Sequence, residues 1–88
     1  MTHAVLDGAA LRSMAEVHAA LARQLSFPDW YGGNLDALHD CLTDLHEETD
    51  VSIVHSEALL ETLGPAYVRL SRVLSDAAEE NPYLKLHL

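Results

Sequence analysis

Three short segments with strand character are separated by two pairs of helical patterns along the chain. The strand-like segments are residues 3–6, 51–55 and 83–88. Strands that are joined through helices usually pair in parallel, with right-handed crossovers. In the last segment three leucines alternate with more polar residues, which indicates that helices cover only one face of the sheet. The order predicts an α/β fold: a small two-layer domain with a three-stranded parallel sheet and helices packed on one face. We expect residues 1–88 to form one domain.

Capping residues and prolines mark the ends of the predicted helices. Apolar residues and His18 repeat at three- and four-residue steps over residues 11–25, which predicts the first helix. Pro28 is expected to end it, because proline disfavours helical geometry in the residue before it. The second helix is predicted over residues 35–46. The residues expected to stand at the starts of the second, third and fourth helices are Asn34, Ser56 and Pro65.

The charge of the chain is strongly acidic and unevenly placed. The chain has fourteen acidic and five basic side chains, for a formal net charge of −9. Residues 24–68 contain no Lys or Arg, and their acids are Asp29, Asp36, Asp40, Asp44, Glu47, Glu48, Asp50, Glu57 and Glu61. Such a chain repels phosphate backbones and has no basic segment for an anionic membrane, so neither nucleic acid nor membrane is an expected partner. A basic protein partner is expected instead, because opposite charge speeds encounter.

The second predicted helix separates leucines from acids. Its four leucines lie on one side, and the opposite side is formed by Asp36, His39, Asp40, Thr43 and Glu47. Asp36 and Asp40 are one turn apart, and two like charges at this spacing cost a few tenths of a kcal/mol. Local helix energetics therefore do not account for this acidic face.

Two adjacent aromatic residues, Trp30 and Tyr31, lie in the loop before the acidic helix, followed by Gly32 and Gly33. One aromatic of such a pair can pack against the core while the other stays exposed. Tryptophan and tyrosine are favoured anchors at protein interfaces. Aromatic anchors beside neighbouring carboxylates suit a concave, cationic target.

The sequence contains no pattern that predicts a catalytic site or a metal-binding site. The potential ligands His39, Asp40, Asp44 and His46 do not follow a zinc-binding spacing, so no metal and no cofactor is expected. Two carboxylates on an exposed helix face have little desolvation to separate their pKa values, and no small-molecule substrate or enzymatic activity is expected.

The compartment is predicted from the cysteine and from the first residues. The chain has one cysteine, Cys41, which cannot form an internal disulfide. Its first eight residues lack the basic start and apolar segment of a secretion signal. A cytoplasmic location is therefore expected.

Residues 25–43 carry a family resemblance. Their sequence is Leu-Ser-Phe-Pro-Asp-Trp-Tyr-Gly-Gly-Asn-Leu-Asp-Ala-Leu-His-Asp-Cys-Leu-Thr. It resembles the barstar family pattern of a proline, an acid, two aromatics, Gly-x-Asn-Leu-Asp-Ala-Leu, an aromatic and Asp-Cys-Leu-Thr. The first strand with Asp7-Gly8 and the helix with His18 also match. The resemblance is strong over residues 3–46 and weak from residue 51 onward.

The resemblance implies an inhibitor that plugs the basic active site of a secreted, guanyl-specific microbial ribonuclease of the barnase type, and so protects the producing cell. By alignment, Asp40 takes the place of substrate phosphate and Asp36 is a second charged contact. Trp30 stands where the family has a tyrosine. The complete expected contact set is Trp30, Tyr31, Gly32, Asn34, Asp36, His39, Asp40, Thr43 and Asp76. The protein is expected to be a monomer alone and to bind its enzyme 1:1.

Four positions depart from the family pattern. His39 and Leu45 stand where well-known members have tryptophan, Asp44 replaces a small residue and Gly33 an acidic one. These changes flank the acidic face and leave open which ribonuclease is bound. The alternative is an immunity or interaction domain directed at a different, non-ribonuclease basic toxin or protein partner.

Overall fold

The computed structural model describes residues 1–88 as three strands and four helices. In chain order the elements are β1 (Thr2–Asp7), α1 (Met14–Leu25), α2 (Leu35–Thr43), β2 (Thr49–Val54), α3 (Ser56–Leu63), α4 (Pro65–Glu80) and β3 (Leu84–His87). The strands form one sheet in the order β1-β2-β3, and both pairs are parallel. The predicted α/β fold with a three-stranded parallel sheet is confirmed. None of the four helices has the length and apolar character that a membrane crossing requires.

One face of the sheet is buried and the other is open, as the alternation in the sequence predicts. The buried side chains of the strands are those of Ala4, Leu6, Thr49, Val51, Ile53 and Leu84. The side chains between them point away from the helices. Parallel register places His3 beside Asp50 and Asp50 beside Lys85 on this open face. All helices therefore lie on the same side of the sheet, where their leucines complete the core.

The free edge of β1 is covered by a side chain. Gln24 Oε1 accepts a hydrogen bond from Val5 N at 2.7 Å, and Gln24 Nε2 donates to Val5 O at 3.0 Å. The amide group thus occupies the place of a neighbouring peptide unit. An exposed strand edge invites pairing with other chains, and this contact removes the central donor and acceptor of β1.

The helix ends differ from the sequence prediction in detail. The cap at Asn34 is confirmed, because its side chain accepts from Ala37 N at 2.8 Å. Helix α1 ends before Pro28 is reached, because Ser26 adopts a left-handed conformation with φ 55° and its N–H donates to Ala22 O. Helix α2 ends at Thr43 and not at residue 46. Beyond Thr43 the chain turns, and the carbonyl groups of Leu42 and Leu45 accept hydrogen bonds from Asn81, which follows α4.

The start of α3 corrects the prediction that Ser56 caps it. His55 holds the cap position in a left-handed conformation with φ 53°, and Ser56 is already helical. The His55 ring lies 2.9 Å from Asp7 Oδ1. Gly8 lies against the same residue, since a Cβ on Gly8 would be 2.1 Å from His55 O. The ends of β1 and β2 thus meet so closely that a glycine is required there.

Candidate functional site

Helix α2 divides its residues between the core and the surface. Leu38 and Leu42 are fully buried and Cys41 is nearly so. Asp36 and Asp40 are exposed on the other side, and 73% of the Asp40 side chain is accessible. The helix therefore presents two carboxylates, one turn apart, to solvent.

His39 connects this acidic face to α4. Its Nε2 lies 2.5 Å from Glu80 Oε2, and its Nδ1 lies 3.9 Å from Asp40 Oδ1. The hydrogen bond to Glu80 raises the pKa of His39, and the charges of Glu80, Asp40 and Asp76 raise it further. Asp76 is exposed on α4, one turn before Glu80. Glu80 is not among the predicted contact residues, although its spacing from Asp76 places both carboxylates on one side of the helix.

A buried asparagine fixes α2 against the end of α4. Asn81 follows α4 directly, and only 4% of it is exposed. Its Nδ2 donates to Leu42 O at 2.9 Å and to Leu45 O at 3.1 Å. Its Oδ1 accepts from Tyr83 N at 3.0 Å. The carbonyl groups left free at the end of α2 are satisfied by this amide, which explains why α2 stops early and how it keeps its place beside α4.

The two loop aromatics take different positions. Trp30 is 65% exposed. Tyr31 is half-buried, its ring centroid is 4.9 Å from that of Phe27, and its hydroxyl contacts His18 Nδ1. Burial raises the pKa of Tyr31 to about 12, with a smaller effect from Cys41, and burial lowers the pKa of His18. The hydroxyl and the imidazole share a hydrogen bond, so Tyr31 holds the loop while Trp30 projects from it.

The expected contact residues come from three neighbouring parts of the chain. The loop that contributes Trp30, Tyr31, Gly32 and Asn34 leads directly into α2. Helix α2 contributes Asp36, His39, Asp40 and Thr43, and α4 contributes Asp76. Thr43 is partly committed to its own helix, because its hydroxyl donates to His39 O at 2.9 Å. The acids of α2 and α4 meet around His39.

Three cavities open on the surface, and none of them is lined by Asp36, His39 or Asp40. The largest, about 510 Å³, is at the start of α3 and is lined by His55, Ser56, Glu57, Ala58 and Glu61. An open cleft of about 400 Å³ runs between α1 and the aromatic loop, along Tyr31, Gly32 and Gly33. No group of three or more His, Cys, Asp or Glu side chains is arranged to hold a metal ion. The chemistry that this surface offers is an array of carboxylates with one exposed tryptophan, which suits cationic groups of a partner.

Comparison with known proteins identifies a family whose model matches nearly the whole chain. A family model described as Barstar (barnase inhibitor) matches residues 1–86. A protein of Bacillus subtilis (strain 168), named "Putative ribonuclease inhibitor YrdF", is 46% identical over 43 residues, which is 49% of this chain. The matched part is 47% of that protein, so the chain spans about half the length of this relative.

Proposed function

The chain belongs to the barstar family, and we propose that it inhibits a secreted, guanyl-specific ribonuclease of the barnase type by covering its basic active site. The observation that carries the proposal is the pair of exposed carboxylates of Asp36 and Asp40 on α2, directly after the exposed Trp30. The relative described as a ribonuclease inhibitor supports the same role. The partner is therefore a basic enzyme rather than a nucleic acid, a membrane or a small molecule.

Electrostatic attraction and apolar packing contribute to different steps of the proposed binding. The net charge of −9 attracts a basic enzyme from a distance and raises the association rate. In the complex, Asp40 accepts charge-assisted hydrogen bonds from the groups that otherwise bind substrate phosphate. Trp30 provides apolar contact area beside those bonds. Occlusion needs one inhibitor per enzyme, so we propose a 1:1 complex formed in the cytoplasm, where it protects the producing cell.

Asp40→Ala tests the proposal in an inhibition titration against barnase and a panel of other microbial ribonucleases. Truncating one partner of a buried charge pair costs about 2–5 kcal/mol, so Kd should rise by at least about 30-fold. The fold should be unaffected, because the Asp40 side chain is largely exposed and its ionic partner His39 is 3.9 Å away. Thermal unfolding of the variant checks this point.

Glu61→Ala is the matched control, since it removes the same charge from an exposed position on α3. Asp50 is less suitable, because only 19% of its side chain is exposed and it lies 3.5 Å from His3. We expect Kd to change by less than about threefold in Glu61→Ala, since a remote surface charge acts only through the screened long-range field. Equal losses in both variants would show that bulk charge, and not the surface around Asp40, governs binding.

The alternative function is immunity against a basic toxin or protein that is not a ribonuclease. The observation that favours it is the replacement of the two family tryptophans by His39 and Leu45. His39 is tied to Glu80, and Leu45 packs against the core, so neither offers the aromatic area expected there. If wild-type protein inhibits no ribonuclease of the panel at a stoichiometric ratio, the ribonuclease role is refuted and this alternative takes its place.

A further inference from the structure

His39 is surrounded by negative charge on the surface that is proposed to meet cations. Glu80 and Asp76 act on it from α4, and Asp40 acts on it from its own helix. Asp36 lies one turn before Asp40 on α2. No Lys or Arg is among the groups that act on His39. The imidazole is therefore the one group of this cluster that can become positive.

We propose that His39 couples partner binding to proton release, so that the affinity for a cationic partner falls as the pH drops. This inference rests on the proposed function, because it needs a partner that brings positive groups to Asp40. In this proposal the protonation state of His39 sets the pH range in which the acidic surface binds its partner tightly.

A protonated His39 and a cation of the partner compete for the negative charge of Asp40. A protonated His39 satisfies Glu80 Oε2 at 2.5 Å and stands 3.9 Å from Asp40 Oδ1. It thus neutralises part of the charge that a partner would bind. A cation bound to Asp40 would then lie a few ångströms from the imidazolium, and like charges at that distance disfavour the protonated form. Neutral His39 leaves four carboxylates, those of Asp36, Asp40, Asp76 and Glu80, available to the partner.

The sign of the effect follows from the two states of His39. In the free protein its acidic neighbours raise the pKa of His39, and in the complex the partner's cations lower it. Between those two pKa values the free protein carries more protons than the complex, so binding releases them. Affinity therefore rises with pH across this window and is constant above the raised pKa. One released proton corresponds to at most a tenfold change in Kd per pH unit.

The experiment measures Kd for the ribonuclease of the panel that the wild type inhibits most strongly, between about pH 5.5 and pH 8.5, with wild type and His39→Gln. Glutamine has an amide that can donate to Glu80 and cannot be protonated, and the titrating groups of the enzyme are the same in both series. We expect the ratio of wild-type Kd to variant Kd to rise by up to about tenfold per pH unit as pH falls. Calorimetry in buffers of different ionisation enthalpy should show up to one more proton released by the wild type.

A second variant, Glu80→Gln, removes the strongest cause of the raised pKa of His39. Its proton-release window should therefore move to lower pH. Parallel pH curves for wild type and His39→Gln would overturn the coupling and leave the inhibitor function intact. Absence of inhibition of every ribonuclease of the panel by the wild type, even at about pH 8.5, would overturn the inhibitor function itself, and the coupling with it.

Discussion

The amide of Asn81 joins the end of α2 to the segment between α4 and β3, and its removal is the sharpest test of how the acidic surface is held in place. Asn81→Ala deletes the two hydrogen bonds to the carbonyl groups of Leu42 and Leu45 and the one from Tyr83 N. Each such bond contributes about 1 kcal/mol net, and of the two carbonyl groups only that of Leu42 keeps a backbone donor, Leu45 N at 3.4 Å. The expected loss is about 3 kcal/mol of unfolding free energy.

This loss is large for a chain of 88 residues. Domains of this size have about 4–13 kcal/mol of stability, and each kcal/mol shifts Tm by about 4–8 °C. Urea unfolding followed by circular dichroism should thus show a strongly lowered midpoint, and a thermal scan a Tm lowered by about 12–24 °C.

Asn34→Ala is the matched control for Asn81→Ala. Asn34 is exposed, and its side chain makes one capping bond, to Ala37 N. Loss of such a cap costs about 1 kcal/mol. A loss in Asn81→Ala no larger than that in Asn34→Ala would refute the reasoning, since water would then satisfy the carbonyl groups as well as the amide does.

Two further predictions concern Gly8 and His18. Gly8→Ala drives a Cβ to 2.1 Å from His55 O and should cost about 3 kcal/mol in urea unfolding. In Gly33→Ala the Cβ meets nothing and only the φ of 66° is strained, so the loss should be about 1 kcal/mol; equal losses would contradict the close approach at Gly8. Burial lowers the pKa of His18 in the folded protein. Between this lowered pKa and the ordinary histidine pKa of about 6.5, the unfolded chain binds more protons than the folded one. The unfolding free energy therefore falls as the pH drops through this range. His18→Leu should flatten this part of the stability curve while Tyr31→Phe leaves it steep, and an unchanged slope in His18→Leu would assign the dependence to other groups.

The division of α2 into a buried and an acidic side was predictable from the sequence alone. Helical periodicity fixes which side chains share a face, so four leucines at three- and four-residue steps already separate the core side from Asp36 and Asp40. The cap at Asn34 was predictable for the same local reason, because its side chain reaches the N–H of Ala37 within one turn. The split between a packed and an exposed aromatic was also anticipated, but not which residue takes which place.

The residues of α4 that contact the acidic face could not be predicted from local sequence patterns. The contact between His39 and Glu80 joins residues 41 positions apart, and the early end of α2 depends on Asn81, which is 39 positions from Leu42. No helical period or capping rule relates such positions, because they meet only when α4 packs against α2. The left-handed His55 and the need for Gly8 have the same origin in the meeting of two strand ends.

Periodicity and capping within single segments were enough to predict the order of strands and helices, the single-sided sheet and the carboxylates of α2. The position of an α2 histidine among acids of α4 results only from the packing of the two helices. The charge state of His39 depends on distances between side chains, and only the packed helices set those distances.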